Sequence, residues 1–187
     1  MTVTADTGLD QLTGTWDIDA SHSSLGFSAK HAMVTTVRGR FADFAGQLRL
    51  DGTQPDRSRA DVTVQLGSVD TNSEGRDEHL RSPDFFDVAS HPTMSFSATR
   101  AEAKGDGEYR LYGDLSIRGV TREVALDITY NGAVIDPWGN LRAGFEGATT
   151  INRKDWGLTW NAALEAGGIL VSDKVKIRLD ISAVKQA

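Results

Sequence analysis

The stretch from Lys174 to Ala183 alternates without a break. Val175, Ile177, Leu179, Ile181 and Ala183 share one parity, and Lys174, Lys176, Arg178, Asp180 and Ser182 share the other. Successive side chains of an extended chain point to opposite sides, so this pattern demands a strand with one apolar and one hydrated face. The same period of two pairs Trp16 with Ile18, links Leu25, Phe27 and Ala29, and joins Phe44, Gly46, Leu48 and Leu50. It continues through Val62, Val64 and Leu66, then Met94, Phe96 and Ala98, then Tyr109, Leu111, Gly113, Leu115 and Ile117. Val124, Leu126, Ile128 and Tyr130 follow, and then Leu141, Ala143, Phe145, Gly147 and Ile151. Eight or nine such segments predict an all-β fold.

Turn chemistry separates the segments. Gly105-Asp106-Gly107 and Arg118-Gly119-Val120-Thr121 make short connections, and Asp136-Pro137-Trp138-Gly139-Asn140 a wider one. Short connections favour antiparallel neighbours. Eight antiparallel strands can close into a barrel, which removes exposed edges. Two places break the alternation. Thr71-Asn72-Ser73-Glu74 has the spacing of a capping box and predicts a short surface helix to about Leu80. Ser82-Pro83 predicts a second short helix, and at least one of Phe85 and Phe86 is expected to plug an end of the barrel or to pack under the loop.

Composition narrows the function classes. The chain has no cysteine, which excludes disulfides and thiolate metal sites. Acidic residues outnumber basic ones by 26 to 20, and no dense basic stripe stands out, so nucleic acid is not an expected partner. A local basic patch on one rim is compatible with this balance. Apolar runs such as Ile169-Leu170-Val171 fall far short of the roughly 20 residues that span a bilayer, so no transmembrane segment is expected. Residues 1–13 carry an acidic residue and no apolar h-region. They are expected to be a loosely held or disordered N-terminus ahead of a single domain at 14–187, and the expected location is cytoplasmic.

Whether such a barrel is hollow is open on the residues alone. Ala29, Gly46, Ala98, Gly113, Ala143 and Gly147 are small residues on the apolar faces, which leaves volume for a ligand or for neighbouring aromatic rings. A strand of about nine residues rises roughly 30 Å, the length of several isoprene units. Burying ten methylenes at about 0.8 kcal/mol each gives roughly 8 kcal/mol before ordering costs, enough for binding without any polar motif. The apolar lining predicted for a hollow interior is Trp16, Phe27, Phe44, Leu48, Val64, Leu66, Phe86, Met94, Phe96, Leu115, Ile117, Leu126, Ile128, Phe145, Ile151, Trp156, Val175 and Ile177.

Several blocks, in order, carry a resemblance. They are Trp16-Asp17-Ile18-Asp19-Ala20-Ser21-His22-Ser23, Phe27-Ser28-Ala29-Lys30-His31 and Val37-Arg38-Gly39-Arg40-Phe41. Ser68-Val69-Asp70-Thr71-Asn72 leads into the block from Arg76 to Asp87, and His91-Pro92-Thr93-Met94-Ser95-Phe96 follows. Gly113 to Thr121, Ile151 to Leu158 and Val171-Ser172-Asp173 complete the set. From about Gly14 to Lys185 the chain resembles the YceI-like family of polyisoprenoid-binding proteins. The resemblance implies an extended, lipocalin-like antiparallel eight-stranded barrel with short helices between strands. It also implies an elongated apolar pocket for a long-chain isoprenoid, quinone-like or fatty-chain lipid, no required cofactor, and an assembly that in this family is often a homodimer. Many relatives are exported with a signal peptide, and on the residues read above this chain is expected to depart from them there.

Other chemistry is weaker. His22, His31, His79 and His91 lack the close spacing of a metal site. His22 and His31 are expected near one another on adjacent strands, in hydrogen-bonding roles. Asp70, Glu74, Asp77, Asp84 and Asp87 cluster around the short helices, where capping is the ordinary role. Arg38, Arg40, Arg118, Arg122 and Arg153 fall at strand ends, where a guanidinium forks onto a polar head group or simply meets water. Within the family-like blocks, His31, Arg118 and Arg153 are the head-group candidates. Trp138, Trp156 and Trp160 are expected in loops or at strand ends, capping a cavity or filling the core. A non-enzymatic lipid carrier is the leading expectation. An enzyme using His31 or an acidic residue as base, and a filled barrel acting as an interaction module, are the alternatives.

Overall fold

The computed structural model describes residues 8–187. Its strands form one continuous antiparallel sheet. In chain order they are β1 (Gly14–Ile18), β2 (Ser24–His31), β3 (Thr35–Phe41), β4 (Phe44–Leu50), β5 (Arg59–Gln65) and β6 (Val69–Asp70). After helix α1 (Glu74–Arg81) come β7 (Thr93–Gly105), β8 (Glu108–Ile117), β9 (Val120–Ile135), β10 (Leu141–Asn152) and β11 (Val171–Lys185).

The neighbours run β1-β4-β5-β7-β8-β9-β10-β11, and β11 returns to β1, which closes the ring at eight strands. This is the expected eight-stranded barrel. The remaining strands extend it along its axis: β2, β3 and β6 continue the rows of β1, β4 and β5. One edge of β11 pairs with β2 from Val171↔His31 to Asp180↔Ser24, then with β1 from Ala183↔Ile18 to Lys185↔Trp16. Its other edge pairs with β10 throughout, from Lys174↔Asn152 to Val184↔Arg142.

Each interrupted row is held at its break by side-chain bonds that replace ladder bonds. Between β1 and β2 the Asp19 carboxylate accepts from Ser21 N and from Arg142 Nη1 at 2.8 Å. Between β3 and β4, Asp43 N donates to Ser68 Oγ, and Ser68 Oγ donates in turn to the Gln65 carbonyl. The breaks explain why eleven strands appear where nine alternating segments were read. β3 escapes notice because its inward positions are Thr35, Val37, Gly39 and Phe41, and β6 is two residues long.

Two helix expectations need correction. The cap of α1 is Ser73, whose side chain accepts from Arg76 N, and not Thr71. Asn72, at φ 61°, turns the chain between them, and Thr71 is buried with its N and Oγ1 both on the Asp77 carboxylate. No helix forms at Ser82. Phe86 N bonds back to the Leu80 carbonyl, and Phe85 N and Asp87 N share the Ser82 carbonyl, so the segment folds as successive turns. Ahead of β1, Leu12 is buried against Trp16, whose indole N–H donates to the Leu12 carbonyl at 2.8 Å. The held part of the chain therefore begins before Gly14. Of the expected loose N-terminus, residues 1–7 lie outside the described residues.

Candidate functional site

Alternation sends one face of every strand to the barrel axis, yet the inward side chains do not meet there. They enclose a cavity of about 340 Å³ with an almost wholly apolar wall. The small inward residues make this possible in an indirect way. A Cβ at Gly39 would collide with the ring of Phe27, and one at Gly113 would lie 2.5 Å from the ring of Phe96. One at Gly147 would crowd Ile128 and Leu179, and one at Gly46 would crowd Ile18 and Val62. Large side chains lie flat over their small cross-strand neighbours, against the wall, and the axis stays open.

Of the residues expected to line a hollow interior, Phe27, Leu48, Val64, Phe86, Met94, Phe96, Leu115, Ile117, Leu126, Ile128, Phe145, Ile151, Trp156, Val175 and Ile177 lie along this wall. Three others are not on it. Trp16 is fully buried with Leu12, Ala143 and Ala183 beside the β1–β11 seam. Phe44 and Leu66 pack with Leu25, Phe41, Val64 and Val69, where the breaks in the rows double the wall. Among wall residues missing from that expectation, Leu111, Val124, Leu179 and Ile181 carried the alternation and were readable from it. Leu80, Phe85 and Leu158 sit in α1 or loops, where no period announces them.

One end is closed by the α1 segment and the β10–β11 connection. Phe85, Leu115, Ile117, Trp156 and Leu158 form a buried cluster there, with Leu80, Phe86 and Trp160 against it. Trp156 donates its indole N–H to the Leu115 carbonyl at 2.9 Å. Trp160 stacks edge-on with His79, whose Nε2 lies 2.8 Å from Asp84. Toward the other end the wall passes to the β4–β5 loop, with Asp51, Gly52, Pro55, Ser58 and Arg59, alongside Tyr109 and Tyr130. Asp51 accepts from Gln54 N and from Thr53, and these bonds hold its carboxyl below the ordinary carboxylate range. Burial pushes the Tyr130 phenol upward.

The three head-group candidates have separate fates. His31 ends β2 on the exposed surface, with β2 between it and His22, so the two histidines are not neighbours. His22 instead meets Asp19 at 2.8 Å. Arg118 turns away from the cavity and donates to the Phe85 carbonyl at 2.8 Å, which fastens the plug to the β8–β9 hairpin. Arg153 is on the wall and buried. Its guanidinium donates to the carbonyls of Ser172, Leu158, Trp160 and Val171, with the Asp173 carboxylate 3.9 Å away. Desolvation lowers Arg153 and Asp173 acts against it. With its donors committed to carbonyls, Arg153 shapes the β10–β11 connection.

Trp138 is 80% exposed at the β9–β10 hairpin, so it neither caps the cavity nor fills the core. Among the described residues, no three His, Asp or Glu side chains converge as a metal-holding group. Among the described residues, no helix is long and apolar enough to cross a membrane.

Comparison with known proteins gives a consistent answer. Residues 16–183 match the YceI-like domain family. A UPF0312 protein of Ectopseudomonas mendocina is 36% identical over 170 residues, covering 91% of this chain and 86% of that protein. The crystal structure of a Campylobacter jejuni YCEI protein superposes with a TM-score of 0.73 at 26% identity, covering 84% of this chain and 90% of the other. A polyisoprenoid binding domain from Saccharophagus degradans shares the fold, with a TM-score of 0.69 at 15% identity over 91% of this chain and 98% of that one. With the family pattern spanning the barrel from Trp16 to its closing strand, the chain belongs to the YceI-like family.

Proposed function

We propose that this protein carries or sequesters a long-chain isoprenoid-type lipid, a polyisoprenoid or an isoprenoid quinone, inside the barrel. The observation that carries the reading is the apolar cavity of about 340 Å³ between the inward faces. A wall of this kind rewards buried hydrocarbon and offers few polar contacts to a compact, hydrophilic substrate. The polyisoprenoid binding of a relative with the same fold supports the same ligand class.

A binding role is favoured over catalysis by what the polar wall groups already do. Asp51 is occupied by Thr53 and Gln54, Arg59 donates to the carbonyls of Asp56 and Ser58, and Arg153 holds backbone carbonyls. His31, the base considered for an enzyme, is on the outside. On this reading, a polar head would meet the phenols of Tyr109 and Tyr130 toward the β4–β5 loop end of the wall.

Native mass spectrometry of the protein as purified, followed by lipid extraction, tests the proposal. A defined long-chain species bound near one per barrel is the expected result. Recovery of only trace, heterogeneous lipid, together with failure to take up an added polyprenol or long-chain quinone, would overturn it.

A further inference from the structure

The β2–β3 hairpin ends in a turn that an unconstrained design would not choose. Ala32 and Met33 both take left-handed backbone, at φ 49° and 63°, where glycine or asparagine is the usual occupant. The turn is closed by Val34 N on the His31 carbonyl and tied to the neighbouring loop by Ala32 N on the Leu170 carbonyl. It holds Met33 and Val34 outward, 68% and 78% exposed, with Ile169 also exposed beside them. Strained backbone that presents apolar side chains to water points to a contact made elsewhere.

The flank of the same hairpin is basic. On the outer face, register places Ser28 between Arg38 of β3 and Lys176 of β11, and Gly26 between Arg40 and Arg178. Lys30 and Lys174 lie nearer the tip, and all six cations are exposed. The facing acids are few. Arg40 bonds Asp70, Lys154 meets Asp173, and Asp180 and Glu146 lie farther from the tip. Lys30, Arg38, Lys174, Lys176 and Arg178 have no carboxylate partner among the described residues. In a chain of net charge −6 this is a strong local asymmetry. The small residues between the cations leave a flat, accessible surface.

We infer that this corner docks on an anionic lipid bilayer, with Met33 and Val34 entering the interface and the cationic rows meeting the head groups. Apolar insertion beside a basic patch is the combination that binds such surfaces, and each part alone is marginal. A nucleic acid or a soluble anion would use the cations and leave the apolar tip in water. The β9–β10 hairpin offers the internal contrast. It exposes Val134, Ile135 and Trp138, but its cation, Arg142, is held by Asp19 and Asp136. The docking stands on outer-surface residues and does not depend on what fills the cavity.

Vesicle co-sedimentation tests it, with phosphatidylcholine alone and with phosphatidylcholine mixed with phosphatidylglycerol, at low and physiological salt. The protein is expected on the mixed vesicles, more weakly as salt rises. A double Met33→Ser and Val34→Ser variant should lose about tenfold or more in binding. Replacing Arg38 and Lys176 by Gln should remove the preference for anionic vesicles, while Trp138→Ser leaves it intact. Uptake of an apolar fluorophore by the cavity, unchanged in every variant, confirms folding and keeps this test separate from the carrier proposal. Equal binding to both vesicle types, no binding to either, or loss with Trp138→Ser in place of the hairpin variant would overturn the inference. So would a wild-type dimer in sedimentation that the hairpin variant breaks, because the tip would then serve a second copy through the edge of β3.

Discussion

The two halves of the barrel are built by different means. β7 to β11 each run 10 to 16 residues without interruption. The three rows opposite are each broken once, at Asp19–Ser23, at Ala42–Asp43 and at Leu66–Ser68. In the continuous half the ladder itself sets the shape. In the broken half the corners are turned by Asp19, Ser68 and Asp43, whose side chains and backbone supply the bonds the ladder gives up. The continuous half makes a wall, and the broken half bends that wall around an end and leads into the plug.

The largest expected effect tests the one long connection of the continuous half. Arg153→Met leaves the Leu158, Trp160 and Ser172 carbonyls without their guanidinium donor, while the Val171 carbonyl keeps Asn161 Nδ2, and should cost about 3–5 kcal/mol. Urea denaturation would reveal it, and an unchanged midpoint would show that the β10–β11 connection holds itself. Gly113→Ala comes next. Its Cβ would lie 2.6 Å from the Ser97 carbonyl, next to the register shift between Ala98 and Arg100, so the strand must move, at about 1–3 kcal/mol.

In the broken half, Asp19→Asn should cost about 1–2 kcal/mol by weakening the bonds to Arg142 and Ser21. The Ser21 and Arg142 bonds hold the Asp19 carboxyl below its ordinary value of 3.8. The wild-type advantage is therefore full above that pH and is lost as pH falls toward the depressed folded value. Urea midpoints for both proteins across the acid range check this, and a gap that stays constant below pH 3.8 contradicts it. The smallest stability effect is expected from Gly39→Ala, at most about 1 kcal/mol, since only the end of the Phe27 side chain and no backbone atom stands in the way. That ring must swing toward the axis, so titration with an apolar fluorophore should show several-fold weaker uptake. Gly39→Ala with unaltered uptake would mean that the rings resting on glycines do not set the bore.

The same contrast explains what could be read from the sequence. In β8, and in β11 from Lys174 to Ala183, one face meets the interior and the other meets water, so period two survives intact. Thr35, Val37, Gly39 and Phe41 face inward in β3, yet a glycine under a ring and a threonine hide the pattern. Trp16 and Phe44 show why parity alone does not assign a wall residue. Both point inward, but they meet neighbours at a seam or a break before they reach the axis. Arg153 was singled out for a head group and serves the backbone instead, because its partners lie in a connection that carries no period. Arg118, chosen for the same role, binds the Phe85 carbonyl, a contact 33 residues away that no local spacing announces.

β11 is the seam of the whole cylinder, and it follows every other strand in the chain. Its two edges take β10, β2 and β1, and the bond from Gln186 to Asp17 spans 169 residues. As the polypeptide leaves the ribosome, β1 can pair with β4 early but must wait for its second partner until translation has passed β10. Closure is a late, long-range event, the class of contact that slows folding. Until then β10 and β2 present bare backbone, which makes the newly made chain most vulnerable to strand exchange with its own copies.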